Sequence, residues 1–172
     1  MSALSFCLEN KLYTPALALI YTMIDTMAWL SLEEEAVEVR RRDFERLVEQ
    51  FLLPGSGLAC TATELHAARC GILHTHTAQS RRTRAGSARE LYYVWGKREE
   101  HELQALIIAT GRNACAVHVD KLHLALSKAI ERFAVSLSQS PTRARVARKR
   151  IQKILVRTHL PKATEAEQED RG

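Results

Sequence analysis

Between residues 15 and 30, apolar side chains cover most of a helical circumference: Ala16, Leu17, Ile20, Met23, Ile24, Met27, Ala28 and Leu30. A helix apolar nearly all round belongs at the centre of a bundle. Its polar stripe is Thr22, Asp25, Thr26 and Trp29, at helical spacings of three and four. Thr14 fits a cap for this helix and Pro15 its first turn, where a missing N–H costs nothing. A short helix over 2–11 precedes it. Phe44, Leu47, Val48 and Phe51 share one face of a third helix over 43–53, which Pro54-Gly55-Ser56-Gly57 stops. Thr61-Ala62-Thr63-Glu64 then matches a capping box, so a fourth helix starts near Ala62 and runs to about His74 or His76.

Beyond it, 77–88 reads as a polar, basic loop. Leu91-Tyr92-Tyr93-Val94-Trp95 is aromatic and β-branched and predicts a short strand that Gly96 ends. A helix over 97–110, a second short strand over 114–119 and an amphipathic helix over 120–137 follow, the last with Leu122, Leu126, Ile130, Phe133 and Leu137 on its apolar face. Ser138-Gln139-Ser140-Pro141 is a linker by composition. A basic helix comes next, with Val146, Ile151, Ile154 and Leu155 as its apolar members, and 163–172 is an acidic, disordered tail. The expected class is mainly α, a helical bundle with strands only near 91–95 and 114–119.

Composition sharpens this picture in three places. With 7 Gly and 4 Pro in 172 residues, the turn-rich chemistry of a sandwich is missing. The 15–30 stretch is shorter than the roughly 20 apolar residues of a membrane span and carries Asp25 at its centre. No basic n-region or cleavage site marks a signal peptide, so a cytoplasmic protein without a membrane partner is expected. Cys7, Cys60, Cys70 and Cys115 form no CxxC and read as reduced, mostly buried side chains. The formal charge is +5, and its distribution says more than its size. Residues 80–89 hold Arg81, Arg82, Arg84 and Arg89, and residues 141–162 hold Arg143, Arg145, Arg148, Lys149, Arg150, Lys153, Arg157 and Lys162, with no acid in either stretch. Both are candidate nucleic-acid contacts.

The most informative segment is Arg69-Cys70-Gly71-Ile72-Leu73-His74, followed by Thr75 and His76. An Arg-x4-His pair at the end of a helix in an all-helical chain resembles the HEPN superfamily, whose members are helical bundles, usually homodimers, and often metal-independent endoribonucleases. The resemblance spans about residues 2–137, and its sharp part is the Arg69–His74 motif. With the composition of the C-terminal part, three parts are expected: a HEPN-like bundle over 1–138, a basic helix over 139–162 and the tail. The resemblance also implies Arg69 and His74 as the catalytic pair, and the 15–30 helix as the early helix packed on the motif helix. The position after the Arg, often Asn, Asp or His in the family, is Cys70 here.

The residue types suit RNA cleavage through attack of a 2′-OH on its neighbouring phosphate. Histidine transfers protons near neutral pH, and arginine offers a forked permanent charge to phosphate oxygens. No metal or other cofactor is then required. His76 is a second candidate proton carrier, Asp25 the expected partner that orients Arg69, and Arg81, Arg82 and Arg84 the expected RNA-backbone contacts. The setting implied is a toxin–antitoxin or defence system, with RNA, a second copy and an antitoxin-like protein as partners. At about 100° per residue, His74 stands roughly 140° from Arg69 around the helix. The two converge only if the helix frays near Gly71–His74 or if they meet across a dimer axis.

Two other readings stay open. One is a non-catalytic HEPN-like module for dimerisation or for binding a nucleotide or protein, with Asp25–Arg69 as a structural pair. The other is a metal site: His66, Cys70 and His74 stand at i, i+4 and i+8 on one stripe, and helical pairs at i, i+4 bind zinc. No CxxC or HExxH accompanies that stripe.

Overall fold

The computed structural model of the chain describes residues 3–75 and 80–154, the side chains of His74 and Thr75 excepted. The architecture is mainly helical. In chain order it runs α1 (Ala3–Glu9), α2 (Tyr13–Leu30), α3 (Arg41–Leu47), a π-helical turn (Val48–Leu52), α4 (Ala62–Thr75), α5 (Arg81–Arg84), β1 (Glu90–Val94), α6 (Glu100–Ala109), β2 (Ala114–His118), α7 (Val119–Ser138) and α8 (Pro141–Ile154). Among the described residues no helix is long and apolar enough to cross a membrane.

The apolar helix α2 sits where its pattern predicts. Ala16, Leu17, Ile20, Ile24, Met27 and Ala28 are buried in the main core, with Tyr21 beside them. Its start differs from expectation. Helix α2 begins at Tyr13 without a side-chain cap, so Thr14 lies inside its first turn. The start is set by the turn out of α1: Lys11 takes a left-handed φ of 58°, and the Leu12 N–H donates to the Cys7 carbonyl at 2.8 Å. Phe44, Leu47, Val48 and Phe51 are buried as predicted, although the third helix is split. It opens at Arg41, two residues early, because Asp43 sits at the third helical position and accepts from the Arg40 N–H at 3.0 Å. From Val48 it widens into the π turn, which carries Phe51 edge-on to Phe133 of α7 at 5.5 Å between ring centres.

Strands β1 and β2 pair in parallel, Glu90 with Ala114 through Val94 with His118. Parallel partners need a crossover rather than a hairpin, and α6 supplies it. Trp95 falls one residue past the strand and is 41% exposed, stacked on Tyr13 at 4.5 Å. Tyr93 instead points inward, and its hydroxyl meets that of the buried Tyr21 at 2.6 Å. Helix α7 buries Leu122, Leu126 and Phe133 as expected, but Ala129 takes the inward place assigned to Ile130, which is 37% exposed in a groove beside Leu4 and Met23.

The basic helix α8 packs on α2 and α7. Its buried residues are Val146, Ala147 and Arg150, whereas Ile151 and Ile154 are exposed. Leu155 and the acidic tail lie outside the described residues. The acid that meets this helix is Glu34, which pairs with Arg145 at 3.0 Å and Lys149 at 2.6 Å.

Candidate functional site

Helix α4 is fastened at its start. The Thr61 hydroxyl accepts from the Glu64 N–H at 3.2 Å, and the Glu64 carboxylate accepts from the Thr61 N–H at 2.8 Å. This is the predicted capping box. Arg89 then clamps the same carboxylate with two of its nitrogens, one at 3.0 Å, and donates to the Ala59 carbonyl at 3.0 Å. Arg89 therefore does not belong with the other arginines of its stretch as a free basic residue. Burial opposes ionisation of Glu64, but the Arg89 hydrogen bond and the capping amide outweigh it, and its pKa is lowered.

One turn further along, Asp25 of α2 reaches Arg69. The Arg69 Nε donates to Asp25 Oδ2 at 2.7 Å, and Nη2 lies 2.6 Å from the same oxygen. The expected pairing of Asp25 with Arg69 is thus present. Burial works against the Arg69 cation, and the hydrogen bond and charge of Asp25 more than compensate, raising its pKa. Both side chains keep access to solvent, at 26% and 21% exposure.

The contacts continue back along the helix. Arg69 Nη1 lies 4.0 Å from Cys70 Sγ, which lies 4.0 Å from His66 Nδ1. The His66 ring stands edge-on to Phe44 of α3 at 5.4 Å. Beside it, Glu45 accepts from the Thr63 hydroxyl at 2.9 Å and pairs with Arg41 at 3.5 Å and Arg82 at 4.0 Å. Burial lowers the His66 pKa, Glu45 and Asp25 oppose the shift, and Arg69 and Arg41 add to it. The net effect is an imidazole that gives up its proton more readily than an unperturbed histidine, whose pKa is about 6.5. Thr63, His66, Arg69 and Cys70 follow one another at helical spacing, and that is the sequence signal that marks this face. Glu45 carries no such signal, because its partners other than Arg41 come from other helices.

The other predicted residues are distributed differently. Helix α4 continues unbroken to Thr75, so the early fraying that would bring positions 69 and 74 together within one chain does not occur, and they stand roughly 140° apart around the axis. The His74 side chain and the whole of His76 lie outside the described residues. The segment expected to be loop contains the short helix α5, opened by a reciprocal box in which Thr83 N donates to Ser80 Oγ and Ser80 N to Thr83 Oγ1. Arg81 and Arg84 are exposed on it. Arg82 turns toward Glu45, and its Nε is buried without a hydrogen-bond partner.

Of the metal stripe, His66 and Cys70 are adjacent, and among the described residues no three His, Cys, Asp or Glu side chains are grouped to hold an ion. Burial pushes the Cys60 thiol up to about 12 and raises that of Cys115, so neither is a nucleophile at neutral pH. A separate groove of about 1360 Å³ opens between residues 31–40, α3 and the start of α8. Its acids and bases largely neutralise one another, as Asp43 with Arg46 and Glu34 with Arg145. Compared with known proteins, the chain matches no family model, no curated protein and no solved structure.

Proposed function

We propose that this chain is a metal-independent endoribonuclease of HEPN type, working as a homodimer. The observation that carries the reading is the Arg69 guanidinium held by Asp25 from the central helix, at 2.7 Å and 2.6 Å, on a partly exposed face of the motif helix. A guanidinium oriented by a carboxylate places a permanent, forked positive charge in a defined direction, as recognition of a phosphate requires. Arg81 and Arg84, exposed on the neighbouring α5, add sequence-independent attraction for the RNA backbone. Because positions 69 and 74 diverge around α4, the active arrangement combines Arg69 of one copy with His74 of the other, His76 being the alternative proton carrier. On this reading the chain acts in the cytoplasm, with an antitoxin-like protein as its regulator.

RNA incubation with wild type, Arg69→Ala and His74→Ala tests this. Wild type is expected to cleave with EDTA present. Each variant is expected to lose about 100-fold or more while keeping its circular dichroism. Cleavage by His74→Ala at the wild-type rate, or cleavage that EDTA stops, rules the mechanism out.

A second reading draws on the same pair. Asp25 already neutralises Arg69, and the arginine side chain is 26% exposed. That balance also suits a non-catalytic HEPN-like module that dimerises or binds a nucleotide or protein, for which the His74→Ala variant would be indistinguishable from wild type.

A further inference from the structure

We infer that His66 is the general base of the Arg69 site, taking the proton from the attacking 2′-OH of RNA, an inference that rests on the ribonuclease reading above. Three features of the fold support it. His66 precedes Arg69 by three residues on α4, so the two side chains are neighbours on one helix face. Cys70 bridges them, with its Sγ 4.0 Å from His66 Nδ1 and 4.0 Å from Arg69 Nη1. The ring is also held in place: Phe44 lies against it at 5.4 Å, and Cys70 occupies Nδ1, which leaves Nε2 for substrate. The imidazole is only half-buried, so a polymer can reach it.

The surroundings suit a base rather than an acid. Glu45 and Arg41 from α3, Asp25 from α2, and Arg69 on its own helix face the ring, and burial with the two arginines favours its neutral form. A general base must be unprotonated before the step begins. The bookkeeping of the reaction is complete without any co-reactant. Nε2 accepts the 2′-OH proton as the 2′-oxygen bonds to phosphorus, and the bond from phosphorus to the 5′-oxygen breaks. The leaving 5′-oxygen takes a proton from the second imidazole, at position 74. The products are a 2′,3′-cyclic phosphate and a 5′-hydroxyl, while Arg69 carries the charge of the crowded phosphate. Base and phosphate anchor thus come from one helix face of one copy, and only the acid is required from elsewhere.

The test is the pH–rate profile of RNA cleavage by wild type, His66→Gln and His74→Ala, alongside the imidazole titration of His66 followed by NMR. Wild-type cleavage is expected to rise with pH through a value below about 6.5, matching the titration. His66→Gln is expected to lose at least about 100-fold and that rise, whereas His74→Ala keeps the rise and loses the fall on the alkaline side. If His66→Gln cleaves with the wild-type profile, this inference is overturned and the ribonuclease reading stands. If wild type cleaves no RNA, both fall. Should His66→Gln not fold, the wild-type His66 resonance decides. It is expected to shift on addition of a 2′-O-methyl oligonucleotide that cannot react, and an unmoved resonance overturns the proposal.

Discussion

The Glu64 carboxylate closes a capping box with Thr61 and grips Arg89 at the same time, although its side chain is only 7% exposed. A buried carboxylate in such a setting makes stability depend on pH. Its folded pKa is lowered relative to the unfolded chain, so the stabilisation is fully present above the unfolded value of about 4.3 and is lost as pH falls through the folded value. Glu64→Gln is therefore expected to cost about 1–3 kcal/mol at pH 7. It should also flatten the loss of stability below about pH 5. Urea melts of both proteins across that range measure this, and parallel curves would contradict it. Asp25 and Arg69 form the other partly buried ion pair on α4, and the sequence anticipates it. Asp25 is the one charged residue of the largely apolar 15–30 helix, Arg69 interrupts an apolar face, and each needs the other. His66 was legible only as one member of a His/Cys stripe. Its contacts with Phe44 and Glu45, which reach it from α3, leave no mark in the sequence pattern.

Elements whose hydrogen bonds close within a few residues were readable. The α4 cap is four residues long, and the stop at Pro54–Gly57 is local chemistry. The start of α2 was not, because the turn at Lys11 outranks the cap preference of Thr14. The two strands were recognisable by composition, but their parallel pairing follows from α6 lying between them. That helix also protects the sheet. Gln104 of α6 accepts from the Ala116 N–H at 2.9 Å, occupying a backbone donor that a two-stranded sheet would otherwise leave unpaired. Ala116 is 1% exposed, so water has little access to replace the amide. Gln104→Ala is expected to destabilise by about 1–3 kcal/mol, read from thermal melts, and Gln104→Glu, which keeps an acceptor, by less. Equal melting of Gln104→Ala and wild type would show that the sheet edge needs no such partner.

At the scale of the whole molecule, α8 is joined to the bundle through Arg150. Its guanidinium enters a space lined by backbone carbonyls and donates to Trp29 and Leu32 from Nη1 and to Glu33 and Ala36 from Nη2. It also lies over the Trp29 ring at 5.6 Å. These carbonyls belong to the end of α2 and the segment after it, and each carries partial negative charge. A cation there both satisfies them and shapes residues 29–36. Lysine carries the charge without the fork. Arg150→Lys is therefore expected to lose roughly 2 kcal/mol and Arg150→Met roughly 3 kcal/mol. Amide exchange in residues 29–36 should accelerate ahead of exchange in the main core. Unchanged exchange in that segment would mean that α8 rests on the bundle without organising it.

By itself the sequence determined what short-range chemistry determines: the longer helices and most of their buried apolar positions, where α4 begins, and that Asp25 and Arg69 each require a partner. Only the tertiary structure decided which partners meet. Asp25 and Arg69 are 44 residues apart, and Arg150 and Leu32 are 118 apart. Hydrophobic periodicity records that a side chain faces inward, and it holds no information about what waits there. Arg150 stood in a run of like charges, where its burial against carbonyls leaves no mark on composition. The physical reason is the same for His66, Gln104 and Arg150. A hydrogen bond between distant elements depends on how whole helices are docked, and docking is set by the packing of many apolar residues together rather than by the residues that form the bond.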